Sequence, residues 1–122
     1  MELIAYLHAS GQAAMSTLFL STLSAGDTLV SHYSLYGGTQ ELMQKVLAEA
    51  GIQTILIDLK NLDVLEKTLQ ENKNAKLIHL ETPANPTLQC VDIEALTAIA
   101  KKYNCIVACD NTFATPYLQQ PF

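Results

Sequence analysis

The chain contains no arginine, and all seven of its basic residues are lysine. The planar, five-donor fork best suited to gripping a carboxylate is therefore missing, so an amino-acid site would be incomplete within these residues. Nor is there a basic run. With a formal charge of -5, the chain lacks the clustered cations that a nucleic-acid surface needs. No apolar stretch reaches the roughly 18 residues of a membrane span. Residues 1–7 have no basic segment leading into a long apolar stretch and a cleavage site, so a secretory signal is not expected and a cytoplasmic setting is. No C-x-x-C pair occurs. Cys90, Cys105 and Cys109 form an odd set, expected to be buried reduced thiols. His8, His32 and His79 are scattered without an H-E-x-x-H pattern, so no metal site is expected. Neither a G-x-S-x-G elbow nor a G-x-x-x-x-G-K-[ST] loop is present, which counts against a serine hydrolase and a P-loop nucleotide site.

What is present is a soluble-protein composition, 49% hydrophobic and 16% charged, over 122 residues, enough for one domain with a core. Apolar runs of strand length fall at Leu3 to Leu7, Thr28 to Ser31, Gln53 to Ile57, Leu77 to Glu81 and Ile106 to Asp110. Between them lie segments of helical period. The first, about Gly11 to Leu23, has Ala14, Leu18 and Thr22 on one face and Gly26 just past its end. The second, about Thr39 to Ala50, turns Leu42 and Val46 inward and is closed by Gly51. The third carries Leu62, Leu65 and Leu69 on one face, with Asp63-x-x-Glu66 resembling a capping box. The fourth has Asp92 as N-cap, a stripe of Ile93, Leu96, Ile99, Ala100 and Tyr103, and Asn104 suited to a left-handed exit. This alternation predicts an α/β fold with a mostly parallel sheet and crossover helices. In open parallel sheets the ligand crevice lies beyond the carboxyl ends of the strands.

Four motifs start at such ends. Ser10-Gly11-Gln12-Ala13-Ala14 opens the first helix, where free amides at the positive end of the dipole suit a phosphate; an ordinary glycine turn is the alternative. Leu35-Tyr36-Gly37-Gly38-Thr39 would put an aromatic ring at the crevice rim, either over a planar ligand or packed at a helix start. In Glu81-Thr82-Pro83-Ala84-Asn85-Pro86-Thr87, two prolines stiffen the backbone around one asparagine, which also describes a plain Pro-rich turn. Asp110 ends the apolar run Ile106 to Cys109, where a carboxylate needs a partner: a cationic ring nitrogen, or an Asx turn with Thr112.

Taken in this order, S-G-Q-A-A, L-Y-G-G-T, E-T-P-A-N-P-T followed by V-D-I, and D-N-T-F-A-T-P-Y-L-Q resemble the Cys/Met metabolism family of pyridoxal phosphate enzymes, over nearly the whole chain. The resemblance implies part of the large domain of a fold-type I enzyme, without its N-terminal segment, lysine-bearing segment and small domain. It implies pyridoxal 5'-phosphate as cofactor, with the Gly11 and Gln12 amides on the phosphate and Tyr36, the catalytic candidate, stacked on the ring. Asn85 would approach the ring hydroxyl, Asp110 the ring nitrogen, and Thr112 and Glu81 would follow as weaker pocket residues. Small sulfur-containing amino acids or activated homoserines are the implied substrates, reacting at the β or γ carbon. A homotetrameric parent is also implied, with no nucleic-acid or membrane partner.

The departures from the family pattern matter as much. The family's cofactor-bearing lysine lies on a later segment in an S-x-x-K context, which none of Lys45, Lys60, Lys67, Lys73, Lys76, Lys101 and Lys102 occupies. These residues alone are therefore expected to be inactive. Family arginines, one from a neighbouring subunit and one from the small domain, have no counterpart here. Gln12 resembles the acetylhomoserine sulfhydrylase branch, and Gly38 stands where methionine γ-lyases typically have cysteine, which leaves the reaction subtype open. In the resembled fold the first strand lies beside later sequence. Leu3 to Leu7 is thus expected to pair onto another edge or with a second copy, the latter a self-association of the chain. A non-catalytic assembly or interaction module that kept the fold is the rival reading. An unrelated nucleotide-binding domain is a third, against which the missing glycine fingerprint counts.

Overall fold

The computed structural model describes residues 4–121. Ser10 accepts a hydrogen bond from the Ala13 amide at 3.1 Å and caps α1, Gly11–Thr22. Gly26, at φ 92°, turns the chain into strand β1, Thr28–His32. Helix α2 begins at Gly37–Glu41 and widens into a π-helical turn over Leu42–Leu47 before strand β2, Gln53–Ile57. Helix α3, Leu62–Glu71, leads to β3, Ala75–Glu81, and α4, Ile93–Lys102, to β4, Ile106–Asp110. A short α5, Thr115–Leu118, follows. Asp92 caps α4 through the Ala95 amide at 3.0 Å, and Asn104 leaves it at φ 56°. Each such N-cap contributes about 1 kcal/mol.

The four strands are all parallel, in the order β2-β1-β3-β4. Side chains alternate across the sheet, so neighbouring residues of β1 serve two cores. On one face Leu29 and Leu77 meet Met15 and Phe19 of α1 and Met43 and Leu47 of the π-helical turn. On the other, Val30, Ile78 and Leu80 meet Leu65 and Leu69 of α3 and Leu96 and Ala100 of α4. Full burial of one such side chain, Phe19 for example, stabilises by about 1.5–3 kcal/mol. None of the described helices is long and apolar enough to cross a membrane.

Several details differ from the sequence reading. Leu3 lies outside the described residues, and Ile4 to Leu7 join no strand: Leu7 is 99% exposed. An extended apolar run becomes a strand only by hydrogen bonding to a free edge, and neither β2 nor β4 takes this one up. On α1 the buried residues are Met15 and Phe19, with Leu18 half-buried against the same core, rather than a face of Ala14, Leu18 and Thr22. On α2 Leu42 is buried as expected but Val46 is exposed and Leu47 replaces it, because i→i+5 winding shifts the inward face by one residue. Asn61, not an Asp63 capping box, caps α3 by accepting from the Val64 amide at 3.2 Å. Cys90 is exposed, while Cys105 and Cys109 are half-buried.

Candidate functional site

The strand order fixes where a crevice can open. From β1 the chain leaves toward α2 on one face, and from the adjacent β3 it leaves toward α4 on the other. Their carboxyl-terminal loops diverge there, which makes the β1/β3 boundary the switch point of the sheet. A cavity of about 340 Å³ lies there, at the small end of the roughly 300–1,000 Å³ common for small-molecule sites.

Its walls come from four places in the chain. Ser10, Gly11, Gln12 and Met15 supply the start of α1; Tyr36 comes from the loop after β1; Glu81 and Asn85 from β3 and its loop; and Asp110, Thr112 and Phe113 from the end of β4. All six residues named as ligand contacts in the sequence, Gly11, Gln12, Tyr36, Asn85, Asp110 and Thr112, therefore line one cavity. Ser10, Met15 and Phe113 were not singled out. Ser10 had a signal, its place as N-cap before a glycine; Met15 and Phe113 had none beyond being apolar.

The polar groups divide into those already bonded and those still open. Gln12 donates through Nε2 to Thr39 Oγ1 at 3.2 Å, which fixes its side chain against α2. Glu81 is 5% exposed, and its carboxylate accepts from two backbone amides, Tyr36 N–H at 2.8 Å and Asn85 N–H at 2.7 Å. Asp110 accepts through Oδ1 from the amide of Thr112 at 3.0 Å and from its hydroxyl. The Asx turn weighed as an alternative thus exists together with a place in the cavity wall. Among the described residues nothing pairs with Asp110 Oδ2, with the Asn85 side-chain amide, or with the N–H groups of Gly11 and Gln12 at the start of α1. A Cβ on Gly11 would meet nothing within 4 Å, so this helix start is open, whereas one on Gly38 would come within 2.6 Å of Tyr36 Cε1. Tyr36 lies where a side chain at position 38 would otherwise be.

Around the cavity the loops are sewn together. Gln89 receives His32 Nε2 at 3.3 Å and Tyr33 Oη at 3.2 Å, and Ser34 and Thr87 hydroxyls are 2.7 Å apart. Gln119 Nε2 donates to Thr82 O at 2.8 Å and to Asn111 Oδ1 at 2.9 Å, tying the β3 and β4 ends. One pleat below Glu81 on the same face lies His79, fully buried, with Nδ1 3.0 Å from Ser31 Oγ and Phe19 against its ring. Burial lowers its pKa to about 4, partly opposed by the negative charge of Asp110, so the ring is neutral at pH 7. No lysine lines the cavity. A larger groove beside β4, about 790 Å³, is walled mostly by apolar side chains and holds none of the four motif starts.

The profile of a family described as "Cys/Met metabolism PLP-dependent enzyme" matches residues 3–122. The cystathionine beta-lyase of Lactococcus lactis subsp. cremoris (strain MG1363) is 47% identical over 116 residues, which are 95% of this chain and 30% of that protein. The L-methionine gamma-lyase of Fusobacterium nucleatum subsp. polymorphum is 44% identical over 113 residues, 92% of this chain and 28% of that one. The crystal structure of cystathionine gamma-lyase from Lactobacillus plantarum complexed with L-serine superposes with a TM-score of 0.89 at 39% identity, covering 93% of this chain and 29% of the other. The chain therefore spans about 30% of the length of the curated relatives it matches.

Proposed function

The chain belongs to the Cys/Met metabolism PLP-dependent enzyme family, and on that premise we propose that the switch-point cavity is the cofactor half-site of a lyase or transferase acting on small sulfur-containing amino acids. One observation carries the reading: residues from four separate parts of the chain converge on a single cavity and present the donors and acceptors that pyridoxal phosphate requires. The open amides of Gly11 and Gln12, at the positive end of α1, would hold the phosphate. Tyr36 would cover one face of the ring and is the residue proposed to touch substrate. Asn85 would meet the ring hydroxyl with its open side-chain amide. Asp110 would place Oδ2 on the ring nitrogen and hold a proton there, while Thr112 keeps Oδ1 occupied and the carboxylate turned. When bound, pyridoxal phosphate supplies an electron sink for the carbon bearing the substrate's amino group.

The fit is incomplete in one respect, because no cavity-lining residue has an amine with which to hold the cofactor covalently. The 122-residue chain should accordingly bind pyridoxal phosphate reversibly and turn over no sulfur amino acid. That missing amine is also what favours the rival reading, an assembly or interaction module that kept the fold. Titration with pyridoxal phosphate, followed by visible absorbance and by borohydride reduction with mass spectrometry, separates the two. Saturable binding that weakens in Asp110→Asn is expected; no saturable binding would favour the module. A borohydride-stable adduct confined to one lysine, with cystathionine turnover, would overturn the inactivity.

A further inference from the structure

We infer that Glu81 is a positioning residue whose one carboxylate holds the Tyr36 and Asn85 walls of the cavity in place relative to each other. The two loops leave the sheet toward opposite faces, so helix packing does not set their separation at the rim. The hydroxyl pair Ser34 and Thr87 and the Gln89 bonds join the same loops at other residues. Only Glu81, among the described residues, is hydrogen-bonded to both Tyr36 and Asn85. Oε2 takes the Tyr36 amide and Oε1 the Asn85 amide, at 2.8 and 2.7 Å, both charge-assisted and buried.

The sequence explains why a carboxylate serves here. Asn85 sits between Pro83 and Pro86, which have no N–H, and the Ala84 amide is already spent on Gln89 O at 2.9 Å. Asn85 N–H is then the donor this turn has left to fix its tip. Tyr36 N–H lies one residue ahead of α2 and has no acceptor within that helix. Two backbone donors facing one another need an acceptor with two oxygens and no hydrogen. An ionised glutamate meets that requirement and a glutamine does not, since its NH₂ would confront one of the two amides. Because the bonds go to backbone, Glu81 acts on where Tyr36 and Asn85 stand and needs no contact with the ligand. The meaning of this for ligand binding rests on the cavity being the cofactor site; the clamp itself does not.

The test uses amide hydrogen exchange by NMR on the whole chain, wild type and Glu81→Gln, with ligand titrations alongside. Protection of the Tyr36 or the Asn85 amide should fall about ten- to a hundredfold, the loss of one hydrogen bond to a charged group. The Val91 amide, held by Thr82 Oγ1 at 3.0 Å, should keep its protection. Pyridoxal phosphate affinity should drop by about tenfold with the affinity for inorganic phosphate, read at the Gly11 and Gln12 amides, unchanged. Unaltered protection of both amides in the variant would overturn the inference, as would equal loss of affinity for phosphate and pyridoxal phosphate. Should the variant fail to fold, the wild type decides. There the Tyr36 and Asn85 amides should both exchange far more slowly than the open Gly11 and Gln12 amides, and fast exchange at either would refute the clamp. If the wild type binds no pyridoxal phosphate, the functional proposal fails, and the exchange data still judge Glu81 on their own.

Discussion

Thr112 places both of its hydrogen bonds to Asp110 on the same oxygen, Oδ1, the amide at 3.0 Å and the hydroxyl beside it. Oδ2 is thereby left as the oxygen available to a ligand. Replacing the charge and replacing its support should then have graded effects. Asp110→Asn is expected to weaken pyridoxal phosphate binding by about tenfold or more, the scale of one hydrogen bond to an ionised group. Thr112→Val keeps the amide bond and should cost only a few-fold. Absorbance titrations of the two variants check this, and an Asp110→Asn protein that binds like wild type would contradict the role given to Oδ2.

A methyl group at position 38 would overlap Tyr36 Cε1 at 2.6 Å and crowd Gln12 Nε2 at 3.3 Å. Tyr36 is 49% exposed and its ring can swing outward, so Gly38→Ala should change stability by less than about 1 kcal/mol, below the usual cost of overpacking a closed core. The ring would no longer cover the cavity. Pyridoxal phosphate affinity should fall with the urea midpoint nearly unchanged; a large loss of stability with intact binding would show that the ring does not yield.

His79 makes the fold sensitive to mild acid. Its pKa is lowered by burial from 6.5 to about 4, so in the folded state the ring stays neutral where the unfolded chain would take up a proton. The associated stability is fully present above pH 6.5 and is lost as pH falls toward 4, by about 3 kcal/mol in all. Urea unfolding at pH 7.5, 5.5 and 4.5 should show this decline, and His79→Phe, which retains a ring against Phe19, should flatten it. An unchanged slope in the variant would assign the acid sensitivity elsewhere.

The cysteines should separate by reactivity. Burial, with the Asp110 charge adding to it, pushes the Cys109 thiol up from 9.0 to about 11, and burial also raises Cys105. Since the thiolate is the nucleophile, that rise slows alkylation of Cys109 roughly a hundredfold at pH 8. Cys90 is exposed and should be modified first by iodoacetamide, as peptide mass spectrometry would show. Equal rates at Cys90 and Cys109 would mean that β4 opens readily.

The parts of the fold legible from sequence were those in which local chemistry and tertiary packing agree. Asp92, Gly51 and Asn104 act at helix ends as their side chains or freedom at positive φ suggest, whereas Gly26 uses its positive φ in the turn into β1 and α1 ends earlier, at Leu23. The inner strands β1 and β3 are buried along their whole length except at Lys76, because both of their faces are covered, and their apolar residues Leu29, Val30, Leu77, Ile78 and Leu80 mark them in the sequence. Helix α1 hid its buried side, since Ala, Met, Leu and Phe are spread around it and no polar stripe marks the outside. Leu3 to Leu7 has the look of a strand, but that look requires a partner that its own residues cannot specify. In the cavity, motif residues at strand ends were found because sheet topology brings such ends together. Glu81 was undervalued for a related reason: its importance lies in two amides 45 and 4 residues away, and only the first of those distances is out of reach of a local pattern.

The widened turn in α2 carries an arithmetic of its own. Between Leu42 and Leu47 the helix closes its hydrogen bonds across five residues where regular winding closes them across four, so one residue there is surplus to the packing. A shorter version lacking one of the exposed residues Gln44 to Val46 could meet the sheet with the same neighbours before and after it. Length variation at this spot would pass unnoticed by the core, while the same deletion in α4, regularly wound from Ile93 to Lys102, would rotate every contact beyond it by about 100°.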